Sequence, residues 1–140
     1  MGSMALCDRA RVPRVEPMQA ANEAVGEAIT LLKGSSRNGV KVDAVFWYGA
    51  VDLGTEHLVV WILLSGAPDD ELPEWHFPVS GQLAGIQIHL APGLRGWLDE
   101  MRRAVQDEFA KVGWPNPNRV SVGFDSSNRV DAAGGYAYFK

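Results

Sequence analysis

The chain has 140 residues, 46% of them hydrophobic and 21% charged, which fits one globular domain and leaves little room for two. Its 13 Lys and Arg stand against 17 Asp and Glu, a formal net charge of −4. That balance argues against a general nucleic-acid binder, which needs a basic surface to displace counterions from phosphate, and the single cysteine, Cys7, excludes an internal disulfide and any zinc site built from several cysteines.

Residues 1–16 carry Arg9, Arg11 and Arg14 and no hydrophobic periodicity, so they read as a mobile N-terminal arm. Met1-Gly2-Ser3 ahead of Met4 reads as a tag remnant. The first twenty residues hold no apolar run of signal-peptide length. The longest apolar run in the chain, Leu58–Leu64, falls far short of a bilayer span. The expected location is therefore the cytoplasm, with no membrane partner.

Residues 17–140 read as a single α+β domain. Pro17 suits a first helical turn, and Met18, Ala21, Val25, Ala28 and Leu32 recur at steps of three and four, one face of an amphipathic helix that Gly34 stops. Val42, Ala44, Phe46 and Tyr48 alternate with Asp43, Val45 and Trp47, as in a strand. After a turn at Gly49–Glu56, His57–Leu64 is apolar on both faces, as a central strand is, and pairs with the first strand as a hairpin. Ser65–Gly93 is rich in proline and glycine and predicts one or two short strands, at Trp75–Val79 and Ile86–Leu90. Leu94, Trp97, Leu98, Met101, Val105, Phe109 and Val112 form the strongest helical pattern, ended by Gly113. Val120–Phe124, the turn chemistry of Asp125–Asn128 and a return strand over Arg129–Phe139, with a bulge at Gly134-Gly135, predict a final hairpin. The order helix–hairpin–short strands–helix–hairpin predicts an antiparallel sheet with two amphipathic helices packed on it.

Asp69, Asp70, Glu71 and Glu74 place four carboxylates in six residues without a cation, beside Trp75, His76 and Phe77. Such a run is either a solvated loop or a negative patch that steers a basic partner onto aromatic anchors. Asp52 and Glu56, from the turn of the first hairpin, extend that candidate surface. Trp47, Trp61 and Trp97 lie in periodic segments and are assigned to the core, whereas Trp75 and Trp114 lie beside prolines, where one of the two is a candidate for exposure. His57, His76 and His89 lack metal-ligand spacing, although His57 paired with Asp52 stays open. No nucleophile elbow or phosphate loop is present, so no catalytic residue, metal ligand or cofactor is assigned.

The chain resembles the YezG-like immunity proteins of bacterial polymorphic toxin systems. The resemblance rests on Val45-Phe46-Trp47-Tyr48, the apolar second strand at Leu58–Leu64 and the Pro73–Pro78 segment (PEWHFP). It continues through Arg102 with Glu108-Phe109, Gly113-Trp114-Pro115, Asp125 and the aromatic ending Tyr136, Tyr138 and Phe139. It implies a cytoplasmic, non-catalytic protein that binds and neutralises a cognate toxin domain, expected to be basic, through an acidic surface. Other readings are a small-molecule-binding domain or small enzyme with a pocket in the 65–93 region (His76, His89, Asp52 and Trp75), and an acidic secretion chaperone. The strand-like ending counts against the chaperone.

Overall fold

Helix α1 (Pro17–Leu32) starts at its proline. Glu16, placed above in the arm, is its N-cap: the carboxylate accepts from the Met18 N–H at 3.1 Å and the Gln19 N–H at 2.9 Å, satisfying donors that a helix start leaves open. The structure, a computed structural model, describes residues 16–68, 71–73 and 94–135. The buried face of α1 is built mostly of alanine (Ala20, Ala21, Ala24 and Ala28, with Val25 and Leu32). Such short side chains let the helix backbone lie close to its neighbours, which are strand β2 and helix α2 (Leu94–Lys111).

The described strands are β1 (Ser36–Arg37), β2 (Val40–Tyr48), β3 (Val59–Ser65) and β4 (Ser121–Ser126), in the sheet order β1-β2-β3-β4. Asn38-Gly39, both at positive φ (55° and 85°), turns β1 into β2, the chemistry that a two-residue hairpin requires. β2 and β3 pair antiparallel, as the sequence predicts. Their register slips between Val42↔Leu64 and Ala44↔Leu63, leaving Asp43 as the extra residue of a bulge. The bulge changes which residues of β2 face the helices: Val40 and Val42 before it, Val45 and Trp47 after it. Trp47 also donates its indole N–H to Asn22 Oδ1 on α1 at 2.9 Å. β3 is the central strand, buried from Val60 to Leu64. Val60, Ile62 and Leu64 belong to the main core, and by alternation Trp61 and Leu63 face the other side.

Helix α2 buries Leu94, Trp97, Leu98, Met101, Val105 and Phe109, the predicted stripe. Gly113, at φ 79°, ends it. Trp114 folds back edge-on to Phe109, ring centroids 5.1 Å apart. The N-terminal half of α2 is tied to the sheet edge by Arg37, which reaches Glu100 at 3.4 Å and lies 6.0 Å over the Trp97 ring.

The fold is α+β with a mostly antiparallel sheet, and it departs from the expected order at its last element. β4 pairs parallel to β3 (Val59↔Ser121 through Leu64↔Ser126), because α2 carries the chain back to the starting end of β3, as a crossover between parallel strands does. No return strand follows within the described residues. Ser127–Ala132 is helix α3. Ser126 caps it, its hydroxyl accepting from the Arg129 N–H at 3.3 Å, and Gly134 and Gly135, at φ 103° and 69°, follow the helix end instead of forming a strand bulge. The expected strands at Trp75–Val79 and Ile86–Leu90, and the arm at residues 1–15, lie outside the described residues.

Candidate functional site

The topology gives the sheet two ends of different character. Where β2 finishes and β3 and β4 begin, the chain carries the loop 49–58 and the loop 112–120. Where β3 and β4 finish, it carries residues 66–68 and 71–73 and α3. The seven residues of β3 separate the two ends by about 20 Å.

Loop 49–58 is held from both sides. Gly49 adopts φ 131°, and a Cβ there would stand 2.1 Å from the His57 carbonyl oxygen, so the loop closes tightly at its base. Val51 is buried as a peg in the core. The Leu53 and Gly54 N–H groups both donate to the Ala50 carbonyl, at 3.0 and 3.2 Å, and the His57 N–H donates to Gly54 at 3.1 Å across the 3₁₀ turn Thr55–His57. At the tip Leu53 is 81% exposed, with Asp52 and Glu56 exposed on either side. Among the described residues, the ionic neighbour of His57 is Glu56, at 3.9 Å from Nε2, rather than Asp52.

Loop 112–120 faces this loop across a cleft of about 300 Å³. Thr55, Glu56 and Leu58 form one wall; Trp114, Pro115, Asn116, Arg119 and Val120 form the other. Trp114 is buried, so of the two tryptophans left open by the sequence this one packs inward, and Trp75 lies outside the described residues. Asn116 stands in the left-handed region at φ 50°, ψ 56°, directly before Pro117, where extended backbone is the norm.

At the opposite end, Glu71 is exposed in a turn closed by its N–H to the Pro68 carbonyl at 2.9 Å. Next to it Leu72 is fully buried, and the Pro73 carbonyl accepts from Arg129 Nη1 at 2.8 Å. Asp69, Asp70, Glu74, Trp75, His76 and Phe77 lie outside the described residues, as do His89 and Cys7. Asp52 and Glu56 therefore do not extend the surface of Glu71: the length of β3 divides them. Another cavity, of about 250 Å³, lies at this end between the bulge residue Asp43 and α3, lined by Ala44, Leu63, Ser127, Val130 and Asp131.

Sequence reasoning found the acidic residues of loop 49–58 and missed Leu53 between them, because one apolar residue in a turn has no periodicity. It also missed the second wall of the cleft, whose available signal was the proline pair around Asn116. Among the described residues, no three His, Cys, Asp or Glu side chains gather to hold a metal ion, and no described helix is long and apolar enough to cross a membrane. Compared with known proteins, the chain matches no family model, no curated protein and no solved structure.

Proposed function

We propose that this chain is a non-catalytic binding protein that neutralises a cognate bacterial toxin by direct contact, docking through the sheet end that carries Leu53. The observation that carries the reading is a large apolar side chain, 81% exposed, on a loop fixed by Gly49, the Val51 peg and the Ala50 carbonyl. An anchor that is already ordered loses little freedom on binding, so more of its burial appears as affinity. Asp52 and Glu56 beside it supply a negative rim that favours a basic partner and disfavours an acidic one. The acidic run of Asp69, Asp70, Glu71 and Glu74 in the sequence takes the longer-range part, raising the encounter rate with a basic domain. The sequence-level resemblance to immunity proteins supports the identity of that partner as a toxin.

The test is capture of the partner from lysate of the source organism with tagged protein, followed by expression of the captured protein with and without this chain. The expected result is a basic, stoichiometric partner that arrests growth alone and is harmless in co-expression. Leu53→Asp is expected to weaken binding by about thirtyfold or more, the loss typical of a central anchor, while leaving the thermal midpoint unchanged. Neutralising Asp69, Asp70, Glu71 and Glu74 together is expected to slow association and flatten its salt dependence. A chain that captures no stoichiometric partner, or one whose expression is harmless, would overturn the reading.

A further inference from the structure

Loop 112–120 is clasped from two sides. Trp114 is buried edge-on against Phe109, and its backbone N–H donates to the Phe109 carbonyl at 3.1 Å. The other half hangs from helix α2: Gln106 Nε2 donates to the Asn118 carbonyl at 3.3 Å and to the Val120 carbonyl at 3.0 Å. Gln106 is oriented in turn by Arg102, whose Nη1 donates to Gln106 Oε1 at 3.1 Å and which Asp99 pairs from the preceding turn. Asp99, Arg102 and Gln106 follow at steps of three and four, so one line of side chains on the helix surface ends on two loop carbonyls. The Arg102 side chain is 14% exposed, which leaves it little freedom to swing away.

The clasp holds a conformation that the local sequence disfavours. Asn116 is left-handed and precedes a proline, two disfavoured conditions in one residue. Strain of this kind persists only where the surroundings enforce it, and it gathers at binding sites. What the strained loop presents is exposed: Pro115, Asn116, Asn118 and Arg119 all face solvent. The loop stands across a shared cleft from Thr55 and Glu56, and Thr55 follows Leu53 closely in the chain, within about 7 Å at full extension.

We infer, resting on the proposed docking through Leu53, that loop 112–120 is the second half of the docking surface. The partner that covers Leu53 also seats on Asn116, Asn118 and Arg119, and Gln106 is the positioning residue that keeps them in place. A stable interface takes about 800 Å² from each partner, a patch about 16 Å in radius, and the tip of loop 49–58 cannot supply that alone. The wall across the cleft is exposed, rigid and within that reach. The two loops differ in charge. Asp52 and Glu56 call for basic groups, whereas Arg119 on the opposite wall calls for a carboxylate, which its planar fork of donors matches. A basic toxin surface with one acidic side chain at that place is held in a single orientation, since like charges meet if it is turned round.

The experiment uses the full chain with its captured partner. Amide hydrogen exchange is compared between the free and the bound chain, and affinity is measured for Leu53→Asp, Arg119→Ala, Gln106→Met and the double variant of the last two. The expected result is slowed exchange at Asn116, Asn118 and Arg119 as well as in loop 49–58. Arg119→Ala should weaken binding by about tenfold with an unchanged thermal midpoint, since the side chain is exposed. Gln106→Met should lose a similar factor and quicken exchange at Arg119 and Val120 in the free chain. It should add little to Arg119→Ala in the double variant, a non-additivity that a general loss of stability does not produce. Additive losses would overturn the role given to Gln106. Protection of loop 49–58 alone, or full affinity in Arg119→Ala, would overturn the inference and leave docking through Leu53 standing. Protection of neither loop, with Leu53→Asp binding at full strength, would overturn both.

Discussion

Arg129 holds Asp125 and the acidic loop with one nitrogen: its Nη1 donates to Asp125 Oδ1 at 2.8 Å and to the Pro73 carbonyl at 2.8 Å. Asp125 is fully buried, and the same Oδ1 accepts from the Ser126 N–H at 2.7 Å. The pair thus joins the end of β4, the first turn of α3 and the residue that follows Leu72. Arg129→Met takes a counter-charge from a carboxylate that has no access to water, and the expected cost is about 3 kcal/mol. Asp125→Ala should cost less, because the Arg129 side chain is 19% exposed and its charge reaches solvent. Urea denaturation of the two variants measures the order. Hydrogen exchange at the Leu72 amide should quicken in Arg129→Met if the guanidinium is what fastens this loop.

The alanine face of α1 makes a second prediction. Ala24 has no exposed surface and sits where the helix lies against β2 and α2. Ala24→Leu forces three more carbons between elements that are already in contact, at an expected cost of about 1–3 kcal/mol. Glu23→Leu, one position away on the exposed face, should change stability by less than about 0.5 kcal/mol. Equal effects of the two would mean that α1 is not closely packed. Thermal or urea unfolding decides between them.

Helices α1 and α2 and the β2–β3 hairpin were legible because their signals are local. A stripe such as Leu94, Trp97, Leu98, Met101, Val105 and Phe109 needs only helical geometry to be read, and β3 announced its central position by being apolar on both faces. The parallel pairing of β4 with β3 was not legible in the same way. Alternation in Val120–Phe124 shows a strand and says nothing of its neighbour, which is chosen by where α2 delivers the chain. Asp125-Ser126-Ser127-Asn128 misled for a chemical reason. Serine and asparagine favour tight turns and helix N-caps alike, and here the Ser126 hydroxyl caps a helix instead of turning a hairpin. Gly134-Gly135 then follows the end of that helix at positive φ. In the candidate site, the acidic residues were visible as composition. The sheet's length between Glu71 and the pair Asp52 and Glu56 was not, since separation in space is a property of β3's path and not of the loops themselves.

A third prediction concerns the hairpin edge. Gly66 adopts φ 100°, and a Cβ there would stand 2.1 Å from the Gly39 carbonyl oxygen. Gly66→Ala therefore adds a backbone collision to the left-handed penalty. Gly113, at φ 79°, has nothing within 4 Å of a Cβ, so Gly113→Ala bears only the conformational cost, about 1–2 kcal/mol. Gly66→Ala is expected to be the more destabilising of the two by about 2 kcal/mol. Comparable unfolding midpoints would show that β1 and β2 can shift away from Gly66 at little cost.

The charged face of α2 sets the fourth prediction, on pH. The hydrogen bond from Arg102 holds the Asp99 carboxyl below the usual carboxylate range; partial burial opposes it, and the charges of Arg102 and Arg103 reinforce it. The folded protein therefore binds this proton less readily than the unfolded chain. The contribution is present in full above the usual carboxylate range and is lost as pH falls through the lowered value. Lys111 runs the other way. Its hydrogen bond to the buried Glu108, at 2.8 Å, and the attraction of that carboxylate raise it. Its contribution is full below the ordinary lysine range and is lost as pH rises through the raised value. Asp99→Asn should thus be less stable than the parent at neutral pH, and the gap should close as pH falls through the lowered value. Lys111→Met should show a gap at neutral pH that closes only in strong alkali. Because Asp99 and Lys111 are solvent-accessible, added salt should shrink both gaps. An Asp99→Asn gap that is constant from neutral to acid would mean that the Arg102 pair makes no ionic contribution to folding.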